Sequence, residues 1–332
     1  MDSWDNPAYE AALAYQKTAA LMAAIKLDIV TLIGAGTATS DALAEKTGAS
    51  SRGIRILCDF LTVMGLLAKQ DGAYSVTEPG KRYLDPSSPA WMGSSIDFYA
   101  APEILRLVLD DPVSYVRNGG SPGLANLSPD HPVWLRFAKA MSPAARLAAK
   151  RAAVYLARHD GRTAKVLDVA AGHGFYGIEL AKAFPEAVVT AVDWPSVLEL
   201  ASANARDAGI AERYRMVPGN AFEVDWGGGF DLVILANFLH HFSPEECANV
   251  LRKVRSSLSP HGRACTVDFV PDEDRAKAPT HAMFAFLMLA TTPGGDAYTL
   301  GELDEIAKAA GFRGASARPL RPTPQSLVMF ET

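Results

Sequence analysis

Three groups of residues in this chain are spaced to do chemistry. Gly172, Gly174 and Gly177 form G-x-G-x-x-G inside K-V-L-D-V-A-A-G-H-G-F-Y-G-I-E-L-A, residues 165–181. Glycines let the backbone turn sharply and approach a ligand, and the helix N-terminus behind them offers unpaired N–H groups. That much suits any nucleotide-like cofactor. Asp168 narrows the choice, because it stands before the turn with Ala170 and Ala171 ahead of the first glycine. A nicotinamide fingerprint usually runs from strand into glycine without such an acid. Asp193 lies 21 residues after Gly172, where a carboxylate can accept hydrogen bonds from ribose hydroxyls. The last group is an imidazole pair, His240 and His241, with a later acid, Asp268. An imidazole, with a reference pKa of about 6.5, can take a proton from a phenol or enol. A carboxylate behind it would fix its tautomer and stabilise its charged form.

Regular elements must hold these groups. From Lys165 onward strand patterns alternate with helical ones: 165–170, 188–192, 214–217, 232–235 and 263–269, with a final pair near 314–318 and 326–331. Such alternation predicts an α/β fold, Rossmann-like, with a mostly parallel sheet, right-handed crossovers and an antiparallel last strand. Ligands of such sheets bind beyond the strand C-termini, where Asp193, His240 and Asp268 fall. The first third is helical. Residues 9–33 read as one helix ended by Gly34-Ala35-Gly36. Ser40 can cap a short helix that stops at Gly48, and Ser50 or Ser51 caps the next, which carries Ile54, Leu57 and Leu61 and closes at Gly65. Two short strands then flank Asp71-Gly72. Helices followed by a hairpin make a winged helix. As a DNA reader its second helix would offer only Arg52 and Arg55 to phosphates. Burial of its apolar positions against a second subunit is the other reading. Residues 86–123 hold several prolines and predict short helices, and residues 131–158 predict one or two long ones.

The 332 residues suffice for two domains, and 49% hydrophobic with 21% charged residues is ordinary for a soluble globular protein. A net charge of −5 argues against a general nucleic-acid or anionic-membrane surface. No apolar run approaches a membrane span. Cys58, Cys247 and Cys265 are scattered, with neither metal spacing nor a disulfide framework. No metal is expected, and a reducing cytoplasm is the default. The start M-D-S-W-D is unlike a signal peptide.

D-V-A-A-G-H-G resembles motif I of class I S-adenosylmethionine (SAM)-dependent methyltransferases, and the N-terminal winged helix widens the resemblance to the caffeate and acetylserotonin type of small-molecule O-methyltransferases. Further segments are similar to that family. Phe137-Ala-Lys-Ala-Met141-Ser142 resembles its F-N-x-A/G-M-S, the stretch around Asp193 its D-L-P-x-V, and Gly219-Asn220-Ala221-Phe222 its G-D-x-F. Leu239 to Ser243 resembles its L-H-D-W-S, and Met288 to Thr299 its M-L-x-x-x-P-G-G-x-E-R-T. The resemblance implies a homodimer with SAM as cofactor, S-adenosylhomocysteine as product and a small aromatic or polyketide-like acceptor. O-methylation is favoured, with C-methylation of an activated ring as an alternative. A ligand-sensing winged-helix regulator and a nicotinamide oxidoreductase stay open beside it.

The implied domains are 1–85 for dimerisation, 86–160 for a helical linker with pocket helices and 161–332 for SAM binding. The implied cofactor contacts are Asp168, Gly172, Gly174, Asp193, Trp194, Asn220, Ala221, Phe222 and Asn237. Asn220 stands where the family has an acid, and its carbonyl oxygen can still accept from an adenine amine. His240 matches the family's general base and Asp268 the glutamate that orients it. A similar L-H-H-F segment also occurs in many class I methyltransferases, such as the quinone C-methyltransferase type, where the pair is not generally the base. Trp134, Phe137, Met141, His241, Phe284 and Met288 are the implied substrate contacts, with Met283 and Phe286 as further apolar candidates. The family's second catalytic glutamate falls on Ala297, which cannot serve.

Overall fold

The computed structural model describes residues 6–124, 127–159 and 162–332. The start M-D-S-W-D and the expected boundary between residues 160 and 161 lie outside the described residues. Two compact units emerge, Met1–Leu105 and Arg106–Thr332.

In the first unit the expected single helix over 9–33 is three: α1 (Pro7–Ala12), α2 (Ala14–Lys26) and α3 (Ile29–Gly34). The break before α3 is local, since Asp28 takes a left-handed conformation at φ 50°, which an aspartate tolerates better than most side chains. α4 (Ser40–Thr47) is capped by Thr39 rather than Ser40. Thr39 is extended and accepts the Ala42 amide, while Ser40 is already helical. Gly48 ends the helix at φ 68°. α5 (Ser51–Val63) is capped by Ser50. β1 (Leu67–Gln70) and β2 (Ala73–Val76) pair antiparallel across Asp71 and Gly72, both at positive φ, which is the twist a two-residue hairpin loop requires. Ile29, Leu43, Ile54, Cys58, Leu61, Leu67 and Tyr74 form the core. Asp59 ties α5 to the hairpin by accepting from Lys69 (2.6 Å) and Tyr74 (2.7 Å). It also pairs with Arg55, one of the two cations that a nucleic-acid reading would need. α6 (Glu78–Leu84) and α7 (Gly93–Tyr99) follow, and α8 (Pro102–Leu109) carries the chain from the first unit into the second.

The second unit adds α9 (Pro112–Asn118) and the single long helix α10 (Val133–Arg158), which contains Pro143. Then come β3 (Lys165–Val169), α11 (Phe175–Ala183), β4 (Val188–Asp193), α12 (Pro195–Asp207), β5 (Tyr214–Pro218), β6 (Phe230–Ala236), α13 (Pro244–Ser257), β7 (Leu258–Asp268), α14 (Pro279–Thr291), α15 (Leu300–Ala309), β8 (Gly314–Pro319) and β9 (Ser326–Glu331). The sheet order is β5-β4-β3-β6-β7-β9-β8. All neighbours are parallel except β9, which runs antiparallel to β7 and β8. β7 starts at Leu258, five residues before the expected Arg263, because Leu258 pairs with Phe230 ahead of an irregularity in the ladder.

The sheet is buried on both faces, and strand parity sorts the side chains. Val166, Leu232 and Ile234 join a layer with Ala148, Leu156, Ile178 and Leu180 of α10 and α11. Leu167, Val169, Val233 and Leu235 join the opposite layer with Cys247, Leu251 and Ile306 of α13 and α15. Asp168 shares the parity of Val166 and so faces α11. The strand order reverses between β3 and β6, and the crevice at such a reversal is where open α/β sheets bind ligands.

Candidate active site

The turn after β3 is built by backbone demand. Ala170, Gly172 and Gly174 all sit at positive φ, and the Ala171 amide donates to the Val192 carbonyl, binding the turn to β4. The three glycines differ in what they spare. A Cβ on Gly174 would come within 2.8 Å of the Tyr214 hydroxyl and 3.0 Å of Ala201 Cβ. A Cβ on Gly177 would meet Asp168 Oδ2 at 2.8 Å. Beside Gly172 only the Ala170 carbonyl oxygen comes near, at 3.9 Å, so that side is open. Gly172 therefore faces space a ligand could fill, while packing demands Gly174 and Gly177. Gly174 also spends its own amide on the Ala171 carbonyl.

Two carboxylates lie under this turn. Asp168 is buried and accepts the Gly177 amide at 2.9 Å. Burial pushes its carboxyl up to about 7 against the opposing pull of that amide. Asp193, at the end of β4, accepts the Gly172 amide at 2.8 Å through Oδ2 and the Trp194 amide at 2.7 Å through Oδ1. Burial raises it to about 6. Both oxygens keep a second lone pair. Trp194 is half-buried and precedes Pro195 at the start of α12.

After β5, Gly219 turns the chain and Asn220 Oδ1 accepts the Phe222 amide at 3.0 Å. One lone pair of the oxygen expected to meet an adenine amine is thus used locally. Ala221 is buried, and the Phe222 ring lies 4.8 Å from Phe242 and 5.9 Å from Phe238. Lys253 holds this loop from α13 by donating to the carbonyls of Ala221 (3.0 Å) and Val224 (2.7 Å). Asn237, just past β6 at φ 52°, donates to the Tyr176 hydroxyl at 3.2 Å. Lys253 and Tyr176 escaped the sequence reading, since neither sits at a strand end or in a distinctive spacing. So did His173. Its ring stacks on Phe175, burial holds it neutral with a pKa lowered to about 3, and the Arg146 guanidinium lies 3.9 Å over the Phe175 ring.

The imidazole pair follows β6 in a single 3-10 turn, Leu239–His241. Ser243 and Glu246 close a capping box that starts α13 directly behind it and so fixes where the turn exits. His240 Nδ1 lies 2.6 Å from Asp268 Oδ1, with the two side chains 4% and 6% exposed. Asp268 Oδ1 also accepts the Phe269 amide at 2.8 Å. His240 Nε2 lies 3.1 Å from His241 Nε2. Phe284 meets the His240 ring edge-on at 4.7 Å and stacks on Phe269, while Phe137 of α10 meets His241 edge-on at 6.0 Å.

The remaining expected substrate contacts divide. Met288 is buried one turn beyond Phe284, and Met141 is half-buried one turn beyond Phe137. Trp134 commits its indole N–H to the Ser128 carbonyl at 2.9 Å. Met283 is 74% exposed, and Phe286 turns away to meet Tyr115 edge-on. These two do not join the apolar surround of the imidazoles. Ala297 is fully buried, and Arg275 donates to its carbonyl at 2.8 Å.

Comparison with known proteins follows the same division of the chain. Residues 105–313 match the O-methyltransferase domain and residues 9–86 the O-methyltransferase dimerisation domain. A crystal structure of a candidate O-methyltransferase from Nostoc punctiforme superposes with a TM-score of 0.92 at 41% identity, covering 98% of this chain and 99% of that one. The 3-hydroxy-5-methyl-1-naphthoate 3-O-methyltransferase of Streptomyces sahachiroi is 26% identical, covering 89% of this chain and 86% of its own. The mitomycin biosynthesis 6-O-methyltransferase of Streptomyces lavendulae is 27% identical, covering 94% and 90%.

Proposed function

The chain belongs to the O-methyltransferase family, and from that premise we propose that it methylates a hydroxyl on a small aromatic or polyketide-like molecule, with the Asp268–His240 pair as its base machinery. It is a SAM-dependent methyltransferase. SAM supplies an electrophilic sulfonium methyl group when bound. The residues fit that group. Gly172 leaves open space at the turn, Asp193 has lone pairs for two hydroxyls, and Asn220 and Phe222 offer an amide and a ring beyond β5. Asp168 stands behind the turn as a buried acid.

The observation that carries the proposal is the water-excluded contact between His240 and Asp268 at 2.6 Å. A carboxylate on Nδ1 keeps the imidazole in one tautomer and stabilises the charge it gains. Holding acceptor and methyl in line contributes about 7–11 kcal/mol, and the base a further factor of about 10²–10⁴. Phe137, Met141, Phe284 and Met288 then provide an apolar surround suited to an aromatic ring. The dimerisation domain makes a homodimer the expected assembly, to be read by sedimentation.

The test begins with calorimetric titration of S-adenosylhomocysteine into the wild type and Asp193→Ala. Radiolabelled SAM is then assayed with hydroxynaphthoates. O-methyl product with wild type, lost with His240→Ala, supports the reading. Product methylated on carbon overturns the hydroxyl acceptor.

A further inference from the structure

His240 has no nitrogen left for an acceptor. Nδ1 faces Asp268 and Nε2 faces Nε2 of His241. His241, by contrast, is half-buried. Among the described residues no hydrogen bond reaches its Nδ1, and that atom is not among the sealed-in polar atoms. The proton count follows from Asp268. A carboxylate that already accepts the Phe269 amide takes the Nδ1–H of His240, which leaves Nε2 of His240 bare. Only one proton can lie between the two Nε2 atoms, so His241 supplies it. Nδ1 of His241 is then a bare acceptor with no partner among the described residues.

We propose that His241 takes the acceptor's proton and that His240, paired with Asp268, carries the resulting charge. This rests on the hydroxyl-acceptor reading above. The acceptor O–H bond breaks and an N–H bond forms at His241 Nδ1. The proton on His241 Nε2 moves to His240 Nε2, and the electron pair left on oxygen becomes the nucleophile. After product leaves, the proton returns through His241 to solvent. The charge settles on His240 for a physical reason. On His241 it would sit among aromatic rings beside a second imidazole, and burial and His240 already hold His241 well below the usual imidazole range. On His240 it lies 2.6 Å from a carboxylate.

Nitrogen-15 NMR of the whole enzyme with labelled histidine tests the wiring without any acceptor. Near neutral pH we expect His240 protonated on Nδ1 and bare on Nε2, and His241 protonated on Nε2 and bare on Nδ1. Nδ1–H on His241 overturns the proposal. Cys247 and Tyr176, two further titratable groups that feel the Asp268 charge, are pushed far up by burial and stay neutral in this range. In the hydroxynaphthoate assay His241→Phe should lower kcat by about 10²–10⁴-fold with S-adenosylhomocysteine affinity kept. The deficit should shrink as pH rises through the naphthol's own ionisation, because a naphtholate needs no base. His241→Gln, which keeps a hydrogen bond to His240 but cannot pass a proton, should behave as His241→Phe does. A deficit that does not change with pH, or full activity in either variant, overturns the proposal. If the wild type turns over no hydroxyaromatic at all, the acceptor reading falls and the proton transfer with it, whereas a wrong tautomer pattern overturns the transfer alone.

Discussion

The two ends of the candidate site bury carboxylates in opposite ways. Under the glycine turn, Asp168 and Asp193 have only backbone amides as partners among the described residues, and burial drives both carboxyls up, to about 7 and about 6. At the end of β7, Asp268 has an imidazole at 2.6 Å and a backbone amide. The first end is electrostatically unfinished and gains from a ligand that brings hydroxyl donors. The second is complete within the chain. Proteins commonly keep such a difference between a group that binds and a group that reacts, since a reacting group must be oriented before the ligand arrives.

The contrast predicts effects of different kinds. At the finished end His240→Gln should lower kcat by about 10²–10⁴-fold and leave S-adenosylhomocysteine binding intact, read by kinetics beside calorimetry. At the unfinished end Asp193→Ala should weaken S-adenosylhomocysteine by about 100-fold or more, from two charge-assisted hydrogen bonds at about 1.5–3 kcal/mol each. Retained affinity there would remove Asp193 from the binding role. Gly174→Ala should cost about 2–3 kcal/mol in denaturant melts, because a positive φ and a 3.0 Å contact with Ala201 both oppose a methyl.

Asp168→Asn sharpens the comparison by pH. The fold raises this carboxyl from 3.8 to about 7, so it favours the neutral form. The stability this group contributes is full below about pH 4 and is lost as pH rises through about 7. The variant should therefore melt higher than wild type at pH 8, by on the order of 1–3 kcal/mol, and match it near pH 4. An equal melting difference at both pH values would show that Asp168 does not titrate in this range.

Much of the frame was legible locally. The strand over 326–331 and the turn at Asp71-Gly72 stand where residue pattern and turn chemistry place them. The place of Asp193 at the end of β4 was legible because the apolar strand pattern stops there at a fixed distance from the glycines. The break at Asp28 was not, since an apolar helical pattern runs through it without glycine or proline. Nor was the outward turn of Met283 and Phe286, because α14 is apolar nearly all round and its periodicity names no inner face.

The sequence by itself determined the alternation of strands and helices, the glycine turn, and the presence of two imidazoles and an acid at neighbouring strand ends. These depend on φ, on parity and on the short range of turn chemistry. Only the tertiary structure decided that Gly172 faces open space while Gly174 is packed against Tyr214, that Arg146 lies over Phe175, and that His240 spends its second nitrogen on His241. Such contacts join segments far apart in the chain, or set ring orientations within one turn. They are fixed by how layers close on each other, which no local pattern encodes.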